Sequence, residues 1–280
     1  MILYHGRKAS ASLYSRARAN SYLRRHAIST EFSSPDYDAL WQALQLRLPH
    51  VAGTEYVVDE HRFAAWVKSS KYPFFSYVVN RSEKFLEHQV SVDLLDLPPH
   101  ALLIDVAAGR SSFAQIMQRR GYRVIAQDQA FRRGLHRGRL GGDATALALA
   151  DESADGMALH CSFDHFEGDA DSRFMREAAR VLKRGGRAVI LPLYLHQEYI
   201  NLTDPLYART PVTFDESART VASFGFANRF GRHYSLEALQ WRVVQPAIES
   251  GLEPKVHRIV NGSSIDPAIY LNFAFVLTKR

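Results

Sequence analysis

Two short apolar segments end in acidic residues, and a glycine follows the first of them. The segment "LLIDVAAGRSSF" (residues 102–113) passes through Asp105 to a turn around Gly109, and a second segment ends at Asp128. A ligand can approach the backbone at Gly109, and the helix start that follows offers free N–H groups to a carboxylate or phosphate. Asp128 lies 23 residues after Asp105, near the spacing at which an acid binds two ribose hydroxyls. Taken alone, this pattern fits a nucleotide-type cofactor, a dinucleotide enzyme or a plain tight turn.

From residue 101 onward, short apolar runs alternate with helical segments, which is typical of parallel βαβ units. The strands predicted from these runs include "ALLIDVA", "YRVIAQD", "GMALHC" and "RAVILPLYL", and "EPKVHRIV" and "IYLNFAFVLTKR" are interpreted as a closing pair. The predicted fold is α/β: a Rossmann-like, doubly wound, mostly parallel sheet with an antiparallel C-terminal strand. Ligands of such sheets bind at the carboxyl ends of the strands.

The first 97 residues have a different pattern, dominated by amphipathic helical stretches such as "SPDYDALWQALQLRL". We therefore expect two units, a helical N-terminal arm and cap at 1–97 and an α/β domain at 98–280. Within the second unit, a substrate-recognition insert is expected around 196–250.

The net charge of +6 is concentrated at the start of the chain. The single cysteine, Cys161, excludes an internal disulfide and a cysteine-based zinc cage. Residues 1–30, the N-terminal arm, contain six basic residues and no acid. The arm suits an anionic partner or is a solvated helix. No apolar run reaches the length of a membrane span, so we expect a cytoplasmic protein. The sequence indicates no oligomeric state.

Three further features follow the loop in a fixed order. An acid, Asp143, follows the third strand, "ALALADESADG" leads into the fourth, and "VLKRGG" (residues 181–186) turns into the fifth. With these features, the segments between residues 101 and about 195 resemble class I S-adenosylmethionine-dependent methyltransferases of the small-molecule group. The resemblance implies S-adenosyl-L-methionine as cofactor and methyl transfer as the activity.

The resemblance also assigns cofactor-binding residues. Asp128 would bind the ribose hydroxyls, Asp143 would accept a hydrogen bond from the adenine amino group, and the Ala144 N–H would donate to the ring. Ala107 and Ser111 stand where the family usually has glycine. Ala107 is a mild departure, whereas the Ser111 hydroxyl would cap the helix, bind the methionyl carboxylate or crowd it. The implied set is Asp105, Ala107, Gly109, Ser111, Asp128, Asp143 and Ala144.

Methyl transfer mainly requires alignment of the acceptor, together with removal of a proton when the acceptor is neutral. The base should project from beyond the fourth strand. His165 is the first candidate because imidazole titrates near neutrality, and Asp164 is the second. The nearby acids lack a metal-ligand spacing, so no metal site is predicted.

Recognition of the acceptor is expected in loops outside the resemblance that mix aromatic residues with Arg and His. The candidates are Tyr194, His196, Arg229, Arg232, His233 and Tyr234. Because arginine binds oxyanions bidentately, these loops favour a small polar or glycan-type acceptor. The N-terminal region would close over the cofactor with Tyr72, Phe75 and Tyr77 facing the pocket.

Three alternatives remain open. A nucleic-acid methyltransferase would use the basic arm on phosphates, although the chain lacks the "N/D-P-P-Y/F" run of base-amino methyltransferases. A non-catalytic S-adenosylmethionine-binding or scaffold protein would explain Ala107 and Ser111. A nicotinamide dehydrogenase fits the loop but not Asp143.

Residues 119–139, with seven arginines and one acid, would form a basic rim or solvated helix and loop faces.

Overall fold

The computed structural model describes residues 21, 28–73, 77, 80–208 and 210–280. The elements before residue 101 are α1 (Tyr37–Arg47), β1 (Ala52–Tyr56), α2 (Glu60–Ser70) and α3 (Arg81–Leu95). The central elements are β2 (Leu102–Val106), α4 (Phe113–Arg119), β3 (Arg123–His136), β4 (Arg139–Gly141), β5 (Ala154–His160), α5 (Ala170–Val181) and β6 (Leu182–Leu191). The last elements are β7 (Ile200–Thr203), β8 (Arg219–Ala222), β9 (Gly231–His233), α6 (Leu236–Leu239), α7 (Gln245–Glu249), β10 (Leu252–Ile259), α8 (Gly262–Ile265) and β11 (Phe273–Lys279).

Eight of these strands form one twisted sheet in the order β1-β10-β11-β6-β5-β2-β3-β4. β2 pairs in parallel with both β3 and β5, and β5 pairs in parallel with β6. β11 runs antiparallel to both of its neighbours. The predicted mostly parallel α/β sheet with an antiparallel C-terminal strand is therefore confirmed.

Helices cover both faces of the sheet, because its central strands are apolar on both sides. On β2, Leu103 packs into the layer that contains α2, α3 and α4, whereas Ile104 packs into the layer that contains α1, α5 and α6. Successive residues of a strand point to opposite faces, so a strand that is covered on both sides is apolar throughout. Within the described ranges, none of the helices combines the length and apolarity that crossing a bilayer would require.

The N-terminal part of the chain is less purely helical than the sequence predicts. β1 pairs in parallel with β10 and thereby becomes an edge strand of the main sheet. Gly53 permits this approach, since a Cβ there would lie 2.8 Å from the Val256 carbonyl oxygen. The division of the chain at residue 98 stays a prediction, but the sheet itself extends across it.

Between β3 and β4, the structure has a hairpin where the sequence suggested helix and loop faces. β3 continues past Asp128 to His136, turns at Arg137 and Gly138, and returns as β4. Both turn residues have positive φ, 50° and 77°, as a two-residue hairpin turn requires. A Cβ at Gly141 would lie 2.1 Å from the Arg132 carbonyl oxygen, so only glycine lets the two segments touch.

The expected insert around 196–250 contains a second, three-stranded sheet in the order β8-β7-β9. It is followed by α6, a π-helical turn at Gln240–Val244, and α7. Pro246 lies in this helical run and has no N–H to donate to the Arg242 carbonyl. The Ser172 hydroxyl donates to that carbonyl instead, at 2.6 Å, and so joins the insert to α5.

A buried ionic network fixes the insert to the main domain. The Asp171 carboxylate of α5 accepts hydrogen bonds from Arg232 (3.0 Å), Tyr234 (2.9 Å) and Arg242 (2.7 Å). Asp215 accepts two further hydrogen bonds from Arg232, at 2.8 and 3.0 Å. Buried guanidinium groups are tolerated only when such partners compensate their charge.

Replacement of Asp171 by asparagine should therefore destabilise the fold. We expect the Asp171→Asn variant to lose about 3 kcal/mol of unfolding free energy, because two buried guanidinium groups lose part of their compensating charge. Asp151→Asn is the matched control, since that side chain is 75% exposed in its ion pair with Arg180 and should cost less than about 1 kcal/mol. Urea unfolding measures both. Equal stability of the two variants would contradict this role of Asp171.

Candidate cofactor and acceptor site

The loop between β2 and α4 has the backbone conformation of a glycine-rich turn. Ala107 and Gly109 both lie in the left-handed region, with φ of 52° and 51°. For a non-glycine residue this conformation costs about 1 kcal/mol, so the Ala107 substitution is less mild than the sequence suggested. The surrounding hydrogen bonds hold it in place: the Ala108 N–H donates to the Gln127 carbonyl and the Ser111 N–H to the Ala108 carbonyl, both at 2.8 Å.

The Gln127 side chain joins this loop to the end of β4. Its Oε1 accepts from the Ala107 N–H at 3.1 Å, and its Nε2 donates to the Gly142 carbonyl at 2.7 Å. Gln127 is fully buried, so these bonds compensate its desolvation. Gln127 is not among the residues predicted from the sequence, although its polar side chain near the end of the apolar segment "VIAQD" indicates a role at the strand end.

Asp128 lies beside Gln127 and holds the other side of the loop. One carboxylate oxygen accepts from the Gly109 N–H at 2.8 Å, and the other accepts from the Ala130 N–H at 2.8 Å. A carboxylate has about four acceptor positions, so two remain for a ligand. A Cβ added at Gly109 would have this carboxylate as its nearest neighbour, at 3.8 Å. The space next to the Gly109 backbone is therefore open to a ligand.

Asp143 lies just beyond the end of β4. It accepts from the Thr145 N–H at 2.8 Å and lies 3.6 Å from Arg173. Partial burial raises the pKa of Asp143, but the hydrogen bonds from Thr145 and the Arg173 guanidinium lower it overall. The group is therefore an ionised acceptor at neutral pH.

These strand ends surround an open cavity of about 1120 Å³. Of the residues predicted to bind the cofactor, it is lined by Ala107, Asp128, Asp143 and Ala144. His165 and Arg229 line it as well, and the hairpin contributes Phe131 and Arg133. The structure thus places residues from four separate segments on one cavity.

A second cavity, of about 520 Å³, lies on the other side of the loop and shares Cys161 with the first. It is lined by Pro73, Tyr77, Lys84, His88, Ala108, Arg110, Ser111, His160 and Cys161. Lys84 is an ion-pair partner of the fully buried Glu87 at 2.8 Å, and the Cys161 thiol donates to the same carboxylate at 3.0 Å. Burial lowers the pKa of Lys84, but the ion pair with the Glu87 carboxylate outweighs it and raises the pKa above its ordinary value. Lys84 is therefore a cation at this cavity.

Two buried polar atoms of residues that line the second cavity, His88 Nε2 and His160 Nδ1, have no hydrogen-bond partner among the described residues, and neither has Oδ2 of Asp105, which lines neither cavity. The shortest contact between the latter two side chains is 3.8 Å, from His160 Nδ1 to the other Asp105 oxygen. Burial lowers the pKa of His88, which leaves it neutral. Because an unsatisfied buried polar group is costly, these atoms indicate a place where a polar ligand completes the structure. Such a site fits a cofactor end that carries both an ammonium and a carboxylate group.

The Ser111 hydroxyl is hydrogen-bonded at the start of α4, whose N-cap residue is Ser112. Its hydroxyl accepts from the Phe113 N–H at 3.1 Å and from the Tyr77 hydroxyl at 3.1 Å. Tyr77 in turn accepts from the Ser112 N–H at 2.8 Å, and the Tyr72 hydroxyl lies 3.0 Å from His88 Nδ1. Tyr77, one of the three expected lid residues, thus lines the second cavity. Phe75 and most of the basic arm lie outside the described residues.

His165 is oriented by a backbone carbonyl. Its Nδ1 lies 2.7 Å from the Phe230 carbonyl oxygen, which can only accept, so Nδ1 carries the proton. Nε2 is then left as a base on a side chain that is 32% exposed in the first cavity. Asp164 lies 3.5 Å from Nδ1 and is buried, and that burial raises its pKa.

The predicted acceptor residues separate into two groups. Arg229 lines the first cavity and forms an ion pair with Glu167. Arg232 and Tyr234 are fully buried in the Asp171 network and line neither cavity, so their role toward an acceptor stays a prediction.

The other three acceptor candidates line neither cavity. His196 is buried, accepts from the Glu198 N–H at 2.9 Å and contacts the Ser33 carbonyl at 3.1 Å. His233 is buried and stacked on Tyr194, with ring centroids 4.9 Å apart, and burial lowers its pKa to about 3. His196 thus joins the insert to the N-terminal part of the chain, and His233 joins it to Tyr194, which follows β6.

Residues 104–190 match a protein family described as a methyltransferase domain. The demethylmenaquinone methyltransferase of Thermobifida fusca is 32% identical over 134 residues, which cover 44% of this chain and 56% of that protein. The chain thus spans about half the length of this curated relative.

Among solved structures, two methyltransferases are similar to this chain. The 1,6-didemethyltoxoflavin-N1-methyltransferase of Burkholderia thailandensis, solved with 1,6-didemethyltoxoflavin and S-adenosylhomocysteine, is 14% identical, with a TM-score of 0.47 over 90% of this chain and 93% of that one. An S-adenosylmethionine-dependent methyltransferase from Mesorhizobium loti is 16% identical, with a TM-score of 0.44 over 69% and 98%.

The family match begins in β2 and ends in β6, and it contains the loop, Asp128, Asp143 and the segment "VLKRGG" on which the resemblance rested. Over residues 104–190, the chain therefore contains a methyltransferase domain.

Proposed function

We propose that the protein transfers a methyl group from S-adenosyl-L-methionine to a small polar acceptor. The observation that carries this proposal is the convergence of Ala107, Asp128 and Asp143 on one cavity. An adenosyl group needs an acceptor for its ribose hydroxyls and another for its adenine amino group, and the two carboxylates supply both. Ala144, adjacent to Asp143, would donate its N–H to the ring.

The amino-acid end of the cofactor would occupy the second cavity. Its carboxylate would bind the Lys84 ammonium and the Arg110 guanidinium, which line this cavity. Its ammonium group would meet the unpaired Asp105 oxygen, and His88 Nε2 would gain a partner. The shared residue Cys161 marks the junction, where the methyl group would be presented.

His165 would remove the proton of a neutral acceptor. The bound cofactor supplies an activated methyl group, so the protein has to align the acceptor and accept its proton. Nε2 of His165 is free to do so because the Phe230 carbonyl holds the proton on Nδ1. Asp164, 3.5 Å away, would stabilise the imidazolium that forms.

The acceptor itself would enter the first cavity beside His165 and Arg229. The Arg229 side chain, which is 38% exposed, suits a hydroxylated or anionic group such as a sugar or a carboxylate. The similarity to a relative named for demethylmenaquinone supports an acceptor of small-molecule size.

Replacement of Lys84 should weaken binding of the amino-acid end alone. We expect Lys84→Met to bind S-adenosylhomocysteine about 10- to 100-fold more weakly, since it loses a charge-assisted hydrogen bond. Its affinity for 5′-methylthioadenosine, which lacks the amino acid, should stay unchanged and so reports on folding. Calorimetry measures both ligands.

Arg110→Gln should give a smaller effect of the same kind, because Arg110 is exposed, and Lys68→Met, on the exposed face of α2, is the control. Equal weakening of both ligands in Lys84→Met would place the amino-acid end elsewhere. Failure of the parent protein to bind either ligand would refute the cofactor itself.

Replacement of His165 should affect turnover and spare cofactor binding. We expect His165→Ala to bind S-adenosylhomocysteine within about twofold of the parent and to transfer methyl groups about 10²- to 10⁴-fold more slowly. The assay follows the radiolabelled methyl group of S-adenosylmethionine into small molecules of a cell extract. His136→Ala, an exposed histidine of the hairpin, is the control. Undiminished transfer by His165→Ala would exclude this residue as the base.

A further inference from the structure

The outer edge of the sheet next to β4 is an unusually basic strand. The second half of β3 folds back along β4, with Leu135 opposite Leu140 and His136 opposite Arg139. We define the arginine edge as residues 131–139, which contain Arg132, Arg133, Arg137 and Arg139. No acid occurs between residues 129 and 142.

The four arginines of this edge are exposed. None of them forms an ion pair with an acid in the described part of the chain, whereas Arg173, Arg180 and Arg229 elsewhere all do. The Arg139 guanidinium lies over the Phe131 ring in a cation–π contact, with its central carbon 5.2 Å from the ring centroid. The positive charge of the edge is therefore not neutralised within the molecule.

An apolar side chain lies among these charges. Leu135 is 53% exposed and occupies the strand between Arg133 and Arg137. Charges on an edge strand alone can serve to prevent pairing with another chain. The edge adds a large apolar residue between arginines, and apolar and cationic side chains are also combined in the amphipathic helices that lie in a bilayer interface.

We propose that the arginine edge docks on an anionic lipid surface. A second copy of the chain fits poorly, because pairing two such edges would place arginines opposite arginines. A nucleic-acid backbone would satisfy the arginines but leave Leu135 in water. Lipid headgroups neutralise the guanidinium groups while the leucine enters the headgroup and acyl boundary.

The arginine edge lies next to the first cavity. This position is a feature of the fold and does not depend on the proposed reaction. Phe131, Arg133 and Gly134 line the first cavity, so the same hairpin borders the cavity and presents the basic strand. Docking through this strand would hold the cavity rim close to the lipid headgroups.

The test is sedimentation of the full-length protein with vesicles of phosphatidylcholine alone or with 30% phosphatidylglycerol. We expect binding only to the anionic vesicles. Each arginine near an anionic surface strengthens binding about fivefold, so Arg132→Gln, Arg137→Gln and Arg139→Gln together should weaken it about 100-fold. Arg133 is left in place because it lines the cavity.

The matched control removes three charges elsewhere, by Lys68→Gln, Arg176→Gln and Arg184→Gln, all exposed positions. This variant should bind within about threefold of the parent, because it keeps the arginine edge. Both triple variants keep the same N-terminal arm, so the arm cannot account for a difference between them. Leu135→Ser should lose severalfold in affinity, and circular dichroism of all variants reports on folding.

Three results would overturn the proposal. One is absence of binding to anionic vesicles by the parent protein at low salt. Another is an equal loss of binding in the two triple variants, which would make the attraction a property of net charge alone. The third is preferential binding of a polyuridine RNA that the vesicles do not displace and that Leu135→Ser leaves unchanged.

Discussion

The hydrogen bond from the Gly109 N–H to the Asp128 carboxylate, 2.8 Å long, joins the ends of the two central strands, and the site depends on it. It holds the loop after β2 in a left-handed conformation that Ala107 would not adopt by preference. Gln127, one residue earlier, extends the connection to the end of β4. The proposed ribose acceptor and the support of the loop are thus one side chain, so occupation of the site and order in the loop should be coupled.

The parts of the fold that depend on local pattern were predictable from the sequence. Apolar strands followed by helical periodicity indicated the parallel sheet, and the strand-end acids marked its functional edge, because side chains at carboxyl ends of parallel strands meet. The hairpin after Asp128 was missed, since its cause is a contact between Gly141 and the Arg132 backbone. β1 was missed for a similar reason, as its partner β10 lies some 200 residues away.

The roles of individual charged residues were less accessible, because they depend on partners that are distant in the chain. Arg232 and Arg137 look alike in sequence, yet the first is neutralised by Asp171 and Asp215 in the interior and the second is exposed without an ionic partner in the described residues. Burial with compensation makes one arginine structural, while exposure without it leaves the other free to attract an anion. The role of Lys84 was likewise not predictable from its helical segment, because only the packing of α3 brings it to the second cavity.

Calorimetric titration of the Asp128→Ala variant with S-adenosylhomocysteine tests the central claim most directly. The account predicts that the variant binds at least about 100-fold more weakly than the parent, because it loses the ribose acceptor and the support of the loop together. The loss should be equally large for 5′-methylthioadenosine, whose adenosyl part is the same. Binding of both ligands with the affinity of the parent protein would contradict the account.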